Sequence, residues 1–223
     1  MELENLQKIF SEIKGGNNLG EEVHLVGATK MVDVDTINEA INLGLKIVAE
    51  NKVQEFREKH PFIHSVEEHF IGHLQTNKVK YLVGNVSVIQ SVDSVHLAVE
   101  ISKCALKKGI TQDILVEINV GGELSKSGFS LDNAICGVNE VSSLSGIKVV
   151  GLMAMLPKSQ DEDYLASLVQ KMRSIYDNLK DKGYEFKYLS VGMSADYRVA
   201  IKNGSNMIRI GSGIFGKRNY EVK

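Results

Sequence analysis

The sequence predicts an α/β fold, a single (β/α)8 TIM barrel, on three observations. Eight short runs rich in apolar and β-branched residues recur along the chain. Helical patterns fall between them, as crossover connections between parallel strands require. The runs are apolar at most positions, the mark of strands covered on both faces. A count of eight favours closure into a barrel over an open doubly wound sheet, the alternative if one run is misread. The 223 residues include only two prolines and no Ser/Pro-rich linker, so residues 1–223 read as one domain.

An extra helix opens the chain. Leu3, Leu6, Phe10 and Ile13 recur at helical spacing, and Gly15-Gly16 stops them. Strands are expected at residues 24–30 (HLVGATK), 46–50 (KIVAE), 68–72 (EHFIG) and 86–92 (VSVIQSV). Four more are expected at 113–120 (DILVEINV), 147–155 (IKVVGLMAM), 188–192 (YLSVG) and 207–211 (MIRIG). After the first strand, Ile37, Ala40, Ile41 and Leu43 make an apolar stripe that Gly44 ends. Before the seventh, Tyr164, Leu165, Leu168, Val169, Met172, Ile175, Tyr176 and Leu179 form one apolar face among charged positions.

A formal net charge of −2 gives no broad basic field, so nucleic acid and anionic membranes are not expected partners. Cys104 and Cys136 are far apart and outside any Cys-x-x-Cys pattern, which fits a reducing compartment. The start, MELENLQKIFSEIKGG, lacks the basic and apolar blocks of a signal peptide. No apolar run approaches the roughly 18 residues of a transmembrane helix. A cytoplasmic protein is expected.

In such a barrel, chemistry sits at the C-terminal ends of the strands. That rule selects Lys30, Asn51, His73, Gln75, Ser91, Asp93, Asn119, Met153, Met155, Met193, Ser194 and residues 209–212. A lysine at the end of an apolar strand points its amine towards the barrel mouth, the placement that a Schiff-base lysine needs; a surface lysine just past a strand is the alternative. His69 and His73 have the i, i+4 spacing of a helical metal site, but on a strand they lie about 13 Å apart. No metal is expected. The loop NVGGELSKSG (119–128), with Lys126 inside it, and the basic tail GKRNY (216–220) read as solvated or anion-facing segments.

Residues 211–216 match Gly-x-Gly-x-x-Gly, yet a dinucleotide fold needs a helix, a strand and an acidic residue about 20 positions on. Only seven residues follow. As the end of strand eight, the same glycines suit the phosphate site that barrels build after strands seven and eight. Ser194 is expected to cap the helical stretch ADYRVAIKNG and to bind a phosphate with it. Gly211 and Ser212 add backbone N–H groups, whereas Gly213 and Gly216 serve turns and packing.

The segments LVGATK, ENKVQE, HFIGHLQTNK, INVGGELSKSG, GLMAM, LSVGMSADY and IRIGSGIFG occur in this order between residues 25 and 216. Together they closely resemble the YggS/PROSC family of pyridoxal phosphate homeostasis proteins. The resemblance implies a barrel similar to the N-terminal domain of bacterial alanine racemase, binding pyridoxal 5′-phosphate (PLP). It implies that Lys30 forms the Schiff base, that Asn51 lies near the 3-hydroxyl, and that Ser194, Gly211 and Ser212 hold the phosphate. Arg209 is implied to face the pyridine nitrogen and Lys126 to lie near the cofactor entrance, with Met153 and Met193 as further contacts. Ser212 departs from a common threonine, and Glu68 from a common aromatic.

A cation at the pyridine nitrogen makes the ring a weaker electron sink, and racemisation needs a second acid/base on the opposite face. In the related racemases that group comes from a second, β-rich domain of a partner subunit, for which this sequence has no room. The expectation is a PLP carrier for vitamin B6 homeostasis, not an enzyme. It is expected to be monomeric and to make at most transient contacts with apo PLP-enzymes. The alternatives are a PLP-dependent amino-acid racemase or lyase, and a lysine-dependent aldolase acting on a phosphosugar.

Overall fold

The computed structural model describes residues 4–123 and 126–216. Nine strands lie within them: β1 His24–Ala28, β2 Ile47–Glu50, β3 Glu67–Phe70, β4 Val88–Val92, β5 Gln112–Asn119, β6 Phe129–Ser130, β7 Ile147–Ala154, β8 Tyr188–Met193 and β9 Met207–Ile210. All pair in parallel, and eight close a ring in the order β1-β2-β3-β4-β5-β7-β8-β9 and back to β1. The expected barrel is therefore present. The two-residue β6 is an addition that pairs only with the end of β5.

The helices are α1 Glu4–Ile13, α2 Val34–Asn42, α3 Val53–Lys59, α4 Val95–Lys108, α5 Ala134–Ser142, α6 Glu162–Asp181, α7 Tyr197–Lys202 and α8 Ser212–Phe215. Asp33, Ser94 and Asp161 each accept a backbone N–H as helix N-caps, which fixes where the crossovers begin. The third crossover is a 3₁₀ helix at Thr76–Tyr81 rather than an α-helix. Tyr164, read as part of the apolar face of α6, is 42 % exposed; it lies in the first turn of the helix.

Two shells of apolar packing follow from strand alternation. Inside the barrel sit Val26, Ile47, Ala49 and Met207, and beside them Val88, Leu115, Val150 and Met153. Their neighbours in sequence point outward: Leu25 and Val48 meet α1 and α2, and Ile89, Ile114 and Val116 meet the remaining helices. The extra helix α1 buries Leu6, Ile9 and Ile13 against this outer layer and packs on α8. Each such side chain contributes on the order of 2 kcal/mol of burial.

Candidate functional site

A cleft of about 810 Å³ opens at the C-terminal mouth of the barrel, lined by Lys30, Asn51, His73, Ser194, Arg209 and Ser212 among others. A second cavity, about 670 Å³, lies between α1 and the N-terminal ends of β1 and β2. That face of a barrel carries stability rather than chemistry, so the first cleft is the candidate site.

Lys30 lies two residues beyond β1, not within it as the sequence reading had it. The strand stops because the chain turns: Met31 takes φ +56°, a left-handed conformation uncommon outside glycine. A charged clamp holds the turn. Lys59 of α3 donates to Thr29 O at 2.8 Å, to Glu50 Oε1 at 2.6 Å and to Glu55 Oε2 at 3.1 Å. Glu55 Oε2 also accepts the Met31 N–H at 2.7 Å, and Glu50 Oε1 accepts from the Thr29 hydroxyl at 2.7 Å. Burial opposes the Glu55 charge, but the Met31 N–H and Lys59 outweigh it and hold this carboxyl below its usual range. Both flanks of Lys30 are thus fixed while its side chain stays in the cleft.

Asn51 follows β2. Its Oδ1 is buried with no hydrogen-bond partner among the described residues, an acceptor waiting for a donor. Gly72 lets the Asn51 backbone pass close by: a Cβ there would lie 1.9 Å from the Asn51 main-chain O. On the opposite wall, Ser194 does not cap a helix as expected. The helix α7 begins later, with Asp196 as its N-cap, and Asp196 Oδ1 accepts the Met193 N–H at 2.6 Å. The Ser194 hydroxyl instead accepts the Gly213 N–H at 3.2 Å. This bond ties the β8 loop to the β9 loop, placing Ser194 beside Gly211 and Ser212. Gly213 has the packing role expected of it, since a Cβ would lie 2.8 Å from Ile210 Cγ2.

Arg209 rises from inside the barrel and is 4 % exposed. Its Nη1 donates to Ser190 O and Oγ at 2.7 and 2.6 Å, and its Nη2 to Ala154 O at 2.9 Å. Burial pushes it down to about 10, with Glu117 the leading opposing influence, so it is a cation at neutral pH. Glu117 is 5 % exposed, and burial, reinforced by Asp93, pushes it up to about 7 against the attraction of Arg209 and His73. Asp93 Oδ2 in turn faces His73 Nδ1 at 3.2 Å.

Because Glu117 binds its proton more tightly folded than unfolded, its contribution is most favourable below about pH 4.5 and is lost as pH rises towards 7. Above that, ionising it costs on the order of 3 kcal/mol. Glu117→Gln is therefore expected to raise the thermal midpoint at pH 8, by roughly 6–12 °C, and to leave it nearly unchanged at pH 5. Denaturation scans at the two pH values check this.

The chain matches the family model "Alanine racemase, N-terminal domain" over residues 17–219. It is 41 % identical over 221 residues to the pyridoxal phosphate homeostasis protein of Aquifex aeolicus, covering 98 % of this chain and 96 % of that one. The chain belongs to the pyridoxal phosphate homeostasis protein family. Among solved structures, PipY of Synechococcus elongatus with PLP bound superposes with a TM-score of 0.85 at 25 % identity, covering 97 % of this chain and all of that one. A Bifidobacterium adolescentis protein described as unknown gives 0.90 at 31 % identity, over 96 % and 94 % of the two chains.

Of the residues expected in this family's site, the cleft brings together Lys30, Asn51, Met193, Ser194, Arg209, Gly211 and Ser212. Met153 is a correction. It packs at 1 % exposure with Val88, Leu115 and Val150 inside the barrel, and Met155 lines the cleft instead. The bulge beside Gly151 shifts the register of β7 and turns Met153 inward. Lys126 also lies off the cleft lining, with its Nζ 2.6 Å from Glu123 Oε2 and 3.4 Å from Leu156 O. The tail 217–220 lies outside the described residues.

Several residues were missed by sequence reasoning. Glu117 had a signal, a carboxylate alternating with apolar residues in DILVEINV. Lys59, Glu50 and Glu55 had none, because a clamp between separate elements leaves no local spacing.

Proposed function

We propose that this chain binds PLP covalently and reversibly through Lys30 and serves intracellular PLP homeostasis, without robust catalysis. The donor set carries the reading. A lysine amine suits an aldehyde, and the unpartnered Asn51 Oδ1 suits a hydroxyl donor. The wall of Ser194, Gly211 and Ser212 offers hydroxyl and N–H donors to a phosphate. Relatives such as those of Aquifex aeolicus, Vibrio cholerae and Mus musculus are pyridoxal phosphate homeostasis proteins, and PipY carries PLP. When bound, PLP supplies an aldehyde for amine exchange and a ring that accepts electron density.

Arg209 sets the limit on catalysis. A cation held within the barrel beside the ring nitrogen disfavours a proton there, so the ring is a poor electron sink. The vitamin B6 role, a cytoplasmic location, a single-domain monomer and transient contact with apo-enzymes belong to the same proposal. Among the described residues no helix is long and apolar enough to cross a membrane.

Adding PLP to the purified chain tests the reading: a visible band that saturates at one equivalent supports it, and a colourless protein overturns it. Ser194→Ala, which removes a hydroxyl from the phosphate wall, is expected to weaken PLP binding roughly tenfold to a hundredfold, as read by titrating the apo-protein. A racemase or lyase is the second reading. The observation in its favour is the His73–Asp93 pair, an oriented imidazole at the mouth; turnover on a panel of D- and L-amino acids decides it.

A further inference from the structure

Polar side chains enter the barrel interior, where apolar packing is the rule, and among them His69, Gln90 and Ser190 are fully buried and Arg209 nearly so. They form one line. Arg209 Nη1 donates to Ser190 Oγ at 2.6 Å, Ser190 Oγ donates to Gln90 Oε1 at 2.7 Å, and Gln90 Nε2 lies 2.9 Å from His69 Nδ1. The roles in this line run from the Arg209 end. A guanidinium can only donate, so Ser190 Oγ accepts there, and its own proton goes to Gln90 Oε1. The amide in this orientation has Nε2 towards His69. An amide nitrogen also only donates, so His69 Nδ1 must accept, and the ring is neutral with its proton on Nε2. Nε2 has no hydrogen bond among the described residues and faces Glu67 Oε2 at 3.5 Å. Gln90 Nε2 also reaches Met207 Sδ at 3.4 Å.

We infer that His69, Gln90 and Ser190 are positioning residues for Arg209, a one-way chain of donors that fixes the guanidinium edge presented to the cleft. Three of the five N–H donors of Arg209 are taken by Ser190 and Ala154. Those that remain are aimed by the bonds behind them. This rests on the reading that Arg209 faces the cofactor ring. Hydrogen bonds in a buried chain polarise one another, so breaking one link is felt along the line.

The weak link is His69. A second proton on Nδ1 would set two donors against each other at Gln90 and turn the amide over. The groups facing His69 are Glu67 on its own strand, His24 on β1, Asp113 on β5 and the Tyr188 ring on β8, 6.3 Å away. Burial holds His69 below its usual value despite the Glu67 and Asp113 carboxylates, so the chain persists at neutral pH and breaks in acid.

The test compares wild type, Gln90→Met and Gln90→Glu, each loaded with PLP. Gln90→Met has neither donor nor acceptor. It is expected to move the pH midpoint of the visible band by about one unit and to weaken PLP binding about tenfold. Gln90→Glu still accepts from Ser190 and pairs with a protonated His69, so it is expected to hold both values near wild type. A purely structural role for Gln90 would lower the thermal midpoint of Gln90→Met but leave the band unmoved, and that result overturns the inference. Should Gln90→Met not fold, Ser190→Ala breaks the chain next to Arg209 and is expected to shift the band likewise. Nitrogen NMR of His69 in the PLP-free protein is an independent arm. A neutral Nε2–H ring supports the chain, and an Nδ1–H ring overturns it even if wild type never takes up PLP, an outcome that would sink the cofactor reading alone.

Discussion

Lys30→Ala is expected to abolish the coloured, covalent state of the protein with PLP while leaving the fold intact. The fold survives because, among the described residues, the bonds that hold the turn come from Lys59 and Glu55 and not from this side chain. Thr29 O is held by Lys59 and the Met31 N–H by Glu55, and both bonds persist with alanine between them. The change in stability is expected to stay within about 0.5 kcal/mol. Binding is another matter. The proposed non-covalent contacts of Asn51, Ser194, Arg209 and Ser212, which line the same cleft, would remain, but dissociation would no longer wait on a covalent bond. Wild type is expected to keep its visible band through gel filtration, whereas the variant elutes colourless. Borohydride should fix PLP to wild type only. Lys126→Ala is the control: its amine is engaged by Glu123, so the band should remain. A Lys30→Ala protein that still traps PLP irreversibly would place the attachment elsewhere.

The barrel was legible because burial on both faces writes itself into each strand. Runs such as VIQSV and DILVEIN are apolar on alternate and adjacent positions, and their count survives errors of two residues at the ends. That Lys30, Arg209 and Gly211 line the cleft was legible because one rule, function at the strand C-termini, picks them out. What failed did so where three-dimensional contacts decide. Ser194 precedes a helical pattern, and the cap rule assigned it there, but Asp196 is nearer the first turn and wins the position. Met153 lies on a strand whose bulge reverses its facing. His69, read only against a metal, is part of a buried line whose other members come from three separate strands, β4, β8 and β9. No local period could have joined them.

The Lys59 clamp leads to the largest expected effect on stability. Lys59 and Glu50 side chains are only 12 % and 4 % exposed, and Glu50 Oε2 has no hydrogen-bond partner among the described residues. Almost all compensation for this buried carboxylate therefore comes through Oε1, from Lys59 and Thr29. Lys59→Met removes the cation and keeps the stem, leaving the charge unpaired. Breaking a buried pair in this way costs about 3–5 kcal/mol, or roughly 6–20 °C in thermal midpoint for a chain of this size. The loss should also loosen the turn at Met31, whose left-handed backbone Glu55 holds in place, so PLP binding should weaken with stability. Adding Glu50→Leu to Lys59→Met removes the orphaned charge as well. Thr29 then keeps its bond to Ala49 O at 3.2 Å, and an apolar pair in place of a buried ion pair is often neutral. The double variant is thus expected to recover to within about 1 kcal/mol of wild type while its PLP binding stays weak, since Thr29 O still lacks Lys59. Recovery of stability without recovery of binding would separate the two jobs of the clamp, and a single Lys59→Met variant as stable as wild type would show that Glu50 is not held by charge at all.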